Sequence, residues 1–548
     1  MSETAVVCPQ PVVADAAVEI LREGGNAVDA VVTGMAMQGV ADPLMCGLGG
    51  YGVMTVYAAA TGRCTVIDFF PRAPLAVAEG ESEDVLMREF TYDYGFVVRG
   101  GHNEIGHRSV ATPGTVAGMA LALDRFGTMP WRAVLEPAAT LAADGFDLSE
   151  AQRISWYSDD GPDKPGGLVR MSYSDEGRAF YTDDGMPLPL GQRVRNPSLA
   201  DTLRHLMARG PDDFYRGELA RHLVAELAAH GSLLTTDDFE AYEASAAAPL
   251  TARYRDTTLA FPGFPAGGVS ILAALNLLDV LQSDGVADWP SVQALTAVAR
   301  ALHGALEDKY TYLAGSRDVE IPVERLISRE YARRRQFATA GAVDEVAADG
   351  WDDEPPSTTH IAAVDRHGNA ASATHTLASG SGVIPRGLGF MLNNFMHGYD
   401  PRPGKWNSLR SGATRPASMS PGLAFDRSGA LVGVLGASGS TRIVSSLVQV
   451  ISHLLDRQWE PWRAVAAPRI NVQLDGSMQC EGRFPASVIH GIEGSGRRVR
   501  KHLRNYDPYF GKAHVLWRRG TETSWAGAAD PRGDGGAAVV TTESETIS

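Results

Sequence analysis

The chain reads AADGWDDEPPS at 347–357, TTHIAAVD at 358–365, RHGN at 366–369 and AASATHTL at 370–377. The first block is acidic, holds a proline pair and lacks an apolar period, which predicts an exposed loop and the best internal boundary of the chain. Thr359–Asp365 and Ala370–Leu377 are strand-like runs, and Arg366-His367-Gly368-Asn369 between them is a good hairpin turn. Thr358 therefore stands at the head of a hairpin, directly after the loop. Such a threonine becomes a new N-terminus if the Ser357–Thr358 bond is cut. Its hydroxyl would then be the nucleophile, and its freed α-amine, titrating near neutrality, the general base. Two threonines opening a strand are otherwise ordinary β-formers, so their placement carries the reading. Thr374 and Thr376 share one face of the next strand, and either can set a hydroxyl beside Thr358 across the hairpin. A plain threonine ladder is the alternative.

On the N-terminal side the pattern is mostly helical. Val18, Ile20 and Leu21 belong to one helix that stops at Gly24-Gly25, and Asn26 with Asp29 caps a second, lined by Val28, Val31, Val32 and Met35. Two β-rich runs follow, Val53–Tyr57 and Cys64–Phe69, with a turn at Thr61-Gly62. Residues 113–143 and 196–242 return to helical periods. On the C-terminal side, strands are expected at Gly389–Leu392, Ala430–Gly436 and in the VLW and AAVVTT runs near the end, with a helix over Arg442–Asp456. The sum is an α/β chain with a helical first part and a β-rich second part.

Gly47-Leu48-Gly49-Gly50-Tyr51-Gly52 satisfies the dinucleotide pattern G-x-G-x-x-G. A helix precedes it and a strand follows, the reverse of the order that pattern requires, so a close-packed turn is expected. Gly436-Ala437-Ser438-Gly439-Ser440-Thr441 is a small-residue loop entering a helix. Its N–H groups suit an oxyanion, or it is a simple tight turn.

With 548 residues the chain can bury a large core without disulfides or metals. Its net charge of −16, spread along the sequence, argues against nucleic acid or an anionic membrane as partner. The opening residues lack a basic, then apolar, leader, and no later apolar stretch reaches spanning length. Cys8, Cys46, Cys64 and Cys480 form no C-x-x-C pair, so neither a zinc site nor a disulfide framework is expected and a reduced cytoplasm fits best. No cofactor and no metal are implied.

The motifs also occur in the order found in γ-glutamyltranspeptidases, over roughly residues 10–540. The chain resembles that family at GGNAVDAVV, PLMCGLGGYGVMTVY, ATPGTVAGMALALDRFGTMPW, GPDDFYRG, STTHIAAVDRHGN, MLNNFMHGYDP, RPASMSP and AADPRGDGG. The resemblance implies a four-layer αββα N-terminal-nucleophile (Ntn) hydrolase sandwich. It also implies a precursor that cuts itself into a large subunit, 1–357, and a small subunit, 358–548, together forming one unit. It places the nucleophile on Thr358, the threonine that orients it on Thr376, and the oxyanion donors on Gly439 and Ser440, the last a glycine in the family.

The substrate positions depart from the family. The arginine of a D-F-R segment becomes Phe70, with Arg72 a nearby substitute, and the acid after L-N-N becomes Gly398. The asparagine after T-x-T-L becomes Ala378, and of a serine pair before M-S-P only Ser418 remains, beside Ala417. Losing both a carboxylate clamp and an ammonium clamp removes hydrogen bonds worth about 1.5–3 kcal/mol each, which is a change of specificity. The expectation is a hydrolase for a small-molecule acyl group other than γ-glutamyl, with Phe70 pointing to a less polar one. The resemblance also admits glutaryl-type acylases, amidohydrolases of small oxo-acids, and C–C bond hydrolases of actinobacterial 4-alkylproline pathways to lincomycin-type and pyrrolobenzodiazepine compounds. A non-catalytic metabolite-binding descendant is the rival from another class.

Overall fold

The computed structural model describes residues 3–79, 86–90, 95–158, 164–313, 320–337, 357–518 and 524–541. Strands Thr359–Val364 and Ala370–Thr376 pair antiparallel, with Thr359 opposite His375 and His360 opposite Thr374. Asp365 closes their turn by accepting from the His367 and Asn369 amides at 2.8 and 3.0 Å. Gly368 sits there at φ +82°, a conformation without steric cost only for glycine. Both strands are buried along their whole length, so their side chains alternate between two apolar layers instead of between core and water.

The hairpin lies in the middle of a seven-stranded sheet whose order is Ser245–Ala247, Arg63–Phe69, Tyr51–Ala58, Ala370–Thr376, Thr359–Val364, Glu3–Cys8, Gly536–Thr541. A six-stranded sheet runs Leu250–Tyr254, Thr257–Phe261, Gly422–Phe425, Leu431–Ser438, Lys512–Trp517, Ala526–Ala528. Ile361, Ala363, Ala371 and Ala373 enter the core shared with helices Pro11–Arg22, Ala27–Ala41 and Trp131–Asp144. Ala362, Val364 and Ala370 meet Leu423, Leu431, Val434 and Leu516 of the second sheet. The far face of that sheet packs on helices Gly268–Leu281, Val292–Asp308 and Arg442–Asp456. The result is helix, sheet, sheet, helix, the αββα arrangement. The sheets approach closely at Gly436, where a Cβ would lie 2.1 Å from His360 Cε1.

Helix Ala27–Ala41 starts where its sequence predicts: the Asn26 side chain accepts from the Val28 and Asp29 amides, and the Asp29 carboxylate takes the Asn26 amide. It is buried on every side, which explains why it has no polar stripe.

Three sequence expectations change. A strand, Glu3–Cys8, precedes the two opening helices and fills the gap between Thr359–Val364 and Gly536–Thr541. The hairpin Leu250–Phe261 belongs to the second sheet, so the first part is less purely helical than its periods indicate. Gly389–Leu392 is not a strand, because Gly387 and Gly389 turn the backbone at φ +79° and +70°, and Leu392 makes only an isolated bridge to Gly49. Residues 347–356 of the acidic loop lie outside the described residues.

Candidate active site

Continuing the hairpin register by one pair sets Thr358 opposite Thr376 and leaves Thr374 opposite His360. Thr358 Oγ1 donates to Thr376 Oγ1 at 3.1 Å, and the Ala378 amide donates to the same Thr376 oxygen at 2.9 Å. Thr374 instead bonds His360 Nδ1 at 2.9 Å. Register thus separates two threonines that strand periodicity alone leaves equivalent.

Facing this pair is the loop between strand Leu431–Ser438 and helix Arg442–Asp456. The Gly439 amide donates to the Ser357 carbonyl at 3.0 Å, the carbonyl of the bond that precedes Thr358. An N–H in that position polarises the carbonyl and would stabilise negative charge developing on its oxygen. Gly439 is at φ +124°, and a Cβ on it would lie 2.7 Å from Gly511 Cα. Ser440 follows at φ +54°, a left-handed conformation that explains why glycine suits this position. Thr358 itself is at φ +85°. For a β-branched residue this costs about 1–3 kcal/mol. The angle is defined through the Ser357 carbonyl carbon, so breaking the 357–358 bond removes the constraint.

The family profile described as Gamma-glutamyltranspeptidase matches residues 13–540. The chain belongs to that family. It is 33% identical to the Acylase ACY 1 proenzyme of Pseudomonas sp. (strain SE83), over 91% of this chain and 88% of that one. It is 31% identical to the Glutathione hydrolase proenzyme of Escherichia coli (strain K12), over 88% and 83%. The crystal structure of cephalosporin acylase from Bacillus halodurans shares the fold at TM-score 0.84 and 24% identity, covering 98% of this chain and 96% of that one. The protein is thus a gamma-glutamyltranspeptidase-family enzyme of the hydrolase/acyltransferase kind with the Ntn-hydrolase fold. Among the described residues no helix is long and apolar enough to cross a membrane.

The glycine run of residues 47–52 packs closely against backbone behind the site. A Cβ at Gly50 would lie 2.4 Å from the Thr376 carbonyl, at Gly52 2.4 Å from that of Thr374, and at Gly49 2.4 Å from that of Met391. Backbone contact with the end of the Thr376 strand demands Gly50 and Gly52, and contact with the backbone of residues 391–392 demands Gly49. Behind the strands, Gln38 ties the hairpin down: its Nε2 donates to Thr359 Oγ1 at 3.0 Å, and its Oε1 bonds His375 Nε2 at 2.9 Å. Burial holds His375 down at about 3 and His514 at about 4, and pushes His360 well below the ordinary imidazole range. All three are neutral framework groups at neutral pH, and none lines the cavity.

The cavity at Thr358 has a volume of about 50 Å³, room for a few waters. Ser357, Thr358, Thr376, Ser440, Ala378 and Ser418 line it. Phe70, Arg72 and Gly398 do not. Phe70 is fully buried behind Tyr51, with ring centroids 6.0 Å apart, so the apolar character expected from it does not reach the cavity. Arg72 is held in an isolated bridge with Thr112, whose amide donates to the Arg72 carbonyl at 3.0 Å. The space beside Gly398 is filled by Arg415, whose Cζ would lie 2.2 Å from a Cβ there. The lining residues that the sequence reading did not single out include Lys309, His397 and Arg415. Arg415 stands in the quoted RPASMSP motif, but nothing local shows that its side chain turns toward residue 398. Lys309 directly follows the distant helix Val292–Asp308 and has no local signal.

A larger cavity of about 570 Å³, lined by residues of 150–158 and 500–534, holds neither threonine of the pair. Among the described residues His107, Glu226 and His230 have donor atoms within 4.8 Å of one another. That group is also absent from the Thr358 cavity.

Proposed function

We propose that Thr358 first cuts its own Ser357–Thr358 bond and then serves as the N-terminal nucleophile that cleaves an acyl amide of a small molecule, the acyl group not being γ-glutamyl. The observation that carries this reading is the Gly439 amide bound to the Ser357 carbonyl, beside the Thr358 hydroxyl. In the first reaction Oγ1 adds to the Ser357 carbonyl carbon, the Gly439 and Ser440 amides take up the oxyanion, and the hydroxyl proton passes to the Thr358 nitrogen, which leaves as an amine. Water then hydrolyses the ester, giving a Ser357 carboxylate and a free Thr358 amine. Pieces 1–357 and 358–548 stay together because Thr359–Val364 and Ala370–Thr376 are paired on both sides with strands of the first piece.

In the second reaction the same hydroxyl attacks the substrate carbonyl, with Thr376 fixing its direction. The α-amine accepts the hydroxyl proton and returns it to the leaving amine, and water releases the acyl group. The substrate enters where Ser357 now lies, so the cavity of the uncut chain is small because the chain's own peptide fills it. Similarity to an acylase proenzyme and the replacement of both glutamyl-recognising positions support an acylase over a glutathione-directed enzyme. A cytoplasmic location is part of the proposal. It is supported by four free cysteines, Cys8 being pushed up to about 12 by burial and so unreactive as a thiolate.

Intact mass and N-terminal sequencing of purified protein test the proposal. A fragment beginning at Thr358 is expected from the natural chain, and none from Thr358→Ala, which should remain folded and inactive. A Thr358→Ala chain still cut after Ser357 would overturn it.

A further inference from the structure

Helix Glu218–Ala229 buries Leu219, Ala220, Leu223 and Leu227, and Glu226 and His230, four residues apart, lie along the edge of that stripe. Opposite them stands His107, which opens the short turn His107–Ser109. The turn is firmly held. Gly106 takes φ +90°, where a Cβ would lie 2.7 Å from Tyr173 Oη. Its amide donates to the Ser381 carbonyl at 2.9 Å, and its carbonyl accepts from the Ser109 amide and hydroxyl at 3.1 and 2.7 Å. The fold thus sets a histidine of one segment against a glutamate and a histidine of another, and no spacing in the sequence announces the group.

The three side chains converge. His107 Nε2 lies 3.8 Å from Glu226 Oε1, His230 Nδ1 lies 3.8 Å from the same oxygen, and one donor atom of each residue falls within 4.8 Å of the other two. Around a tetrahedral zinc, ligand atoms about 2.0–2.1 Å from the ion stand about 3.4 Å from one another, so each separation from Glu226 has to close by only about 0.4 Å. The His107 side chain is 12% exposed, and its Nε2 is buried without a hydrogen-bond partner among the described residues. A buried polar atom of this kind is rare and is satisfied by a ligand.

One movement is required. The His107 and His230 rings are stacked, with centroids 4.1 Å apart and planes 11° apart, and parallel rings cannot both aim an in-plane lone pair at one ion. His230 is the ring with room to turn, its side chain being 51% exposed. In turning it gives up the 2.9 Å bond from Nδ1 to the Glu226 carbonyl and carries its proton on Nε2 instead. We infer that His107, Glu226 and His230 bind one divalent cation of the zinc class, with His107 Nε2, a Glu226 carboxylate oxygen and His230 Nδ1 as ligands and water as the fourth. Two imidazoles favour such an ion over magnesium and calcium, which take oxygen ligands. None of the three residues lines the Thr358 cavity, so the inference does not depend on the nucleophile assignment. An ion here cross-links the turn at His107 to helix Glu218–Ala229.

The test uses the full chain without a histidine tag, stripped with a chelator and titrated with Co²⁺, whose visible ligand-field absorption reports coordination, and then with Zn²⁺ as competitor. One equivalent of Co²⁺ per chain should give a saturable band that Zn²⁺ displaces and Mg²⁺ does not, and Zn²⁺ should raise the melting temperature. His230→Ala and Glu226→Gln should each weaken binding by about tenfold or more. His230 is exposed, so its variant keeps the fold even if Glu226→Gln disturbs the helix. His222→Ala removes an exposed histidine of the same helix that lies outside the group, and should leave binding unchanged. Absence of a saturable band overturns the inference. So does a band that keeps its affinity in both His230→Ala and Glu226→Gln, one weakened as much by His222→Ala, or competition by Mg²⁺ equal to that by Zn²⁺.

Discussion

Replacing Thr376 by valine keeps the shape of a side chain that is 2% exposed and removes one oxygen, so its consequences can be separated. That oxygen accepts from the Ala378 amide at 2.9 Å and from Thr358 Oγ1 at 3.1 Å. Losing the first bond leaves a buried amide without its acceptor, which costs about 1–3 kcal/mol of folding stability. Losing the second frees the Thr358 hydroxyl to rotate. A net hydrogen bond of about 0.5–1.5 kcal/mol corresponds to a two- to tenfold slower cut if Thr376 only positions Oγ1. Thr374→Val is the matched control: it lies on the same face of the same strand, but its hydroxyl serves His360, so stability should fall while cutting is unchanged within about twofold. Thr376→Ser should restore the rate. Disappearance of the full-length mass after cell-free synthesis gives the cutting rate, and a urea midpoint on the Thr358→Ala background gives stability. Equal slowing by both valine variants would show that only strand stability matters. A Thr376→Val chain that cuts at the natural rate would refute the positioning role.

Gly50→Ala pushes a Cβ to 2.4 Å from the Thr376 carbonyl, so both thermal stability and the cutting rate should fall, whereas Gly62→Ala, with open space around it, should leave the cutting rate unchanged. Gly439→Ala meets both a left-handed φ and the Gly511 backbone, and precursor should accumulate on a gel. Between pH 6.5 and 5 the unfolded chain binds protons on His375 and His514 that the fold refuses until about 3 and 4. Stability should therefore fall as pH falls, by roughly 2 kcal/mol per histidine at pH 5, and an unchanged urea midpoint would contradict their burial as neutral rings. Burial alone would raise Asp530, but Arg469 and Arg532 outweigh it and hold that carboxyl at about 2. Arg532→Met strips partners from both Asp530 and Glu481 and should cost about 3–5 kcal/mol, read as a drop in melting temperature.

Much of this architecture is local and hence legible. The capping of Ala27–Ala41 by Asn26 and Asp29, the turn at Arg366–Asn369 and the helix Arg442–Asp456 each depend on residues within a few positions of one another. The glycine run could be removed from the dinucleotide class by the order of its flanking elements alone. The strand Glu3–Cys8 is different: a short apolar run becomes a strand because partners more than 300 residues away flank it on both sides.

The chain by itself placed a threonine at the head of a hairpin and a small-residue loop ahead of a helix, because spacing and turn chemistry are written in neighbouring residues. Which threonine meets Thr358 was decided by strand register, and which amide meets the Ser357 carbonyl by the packing of the second sheet. The sign of charge in the cavity was decided the same way. Phe70 turns into the core, while Arg415, Lys309 and His397 converge from three separated segments, and only the folded chain brings such distant charges within each other's field.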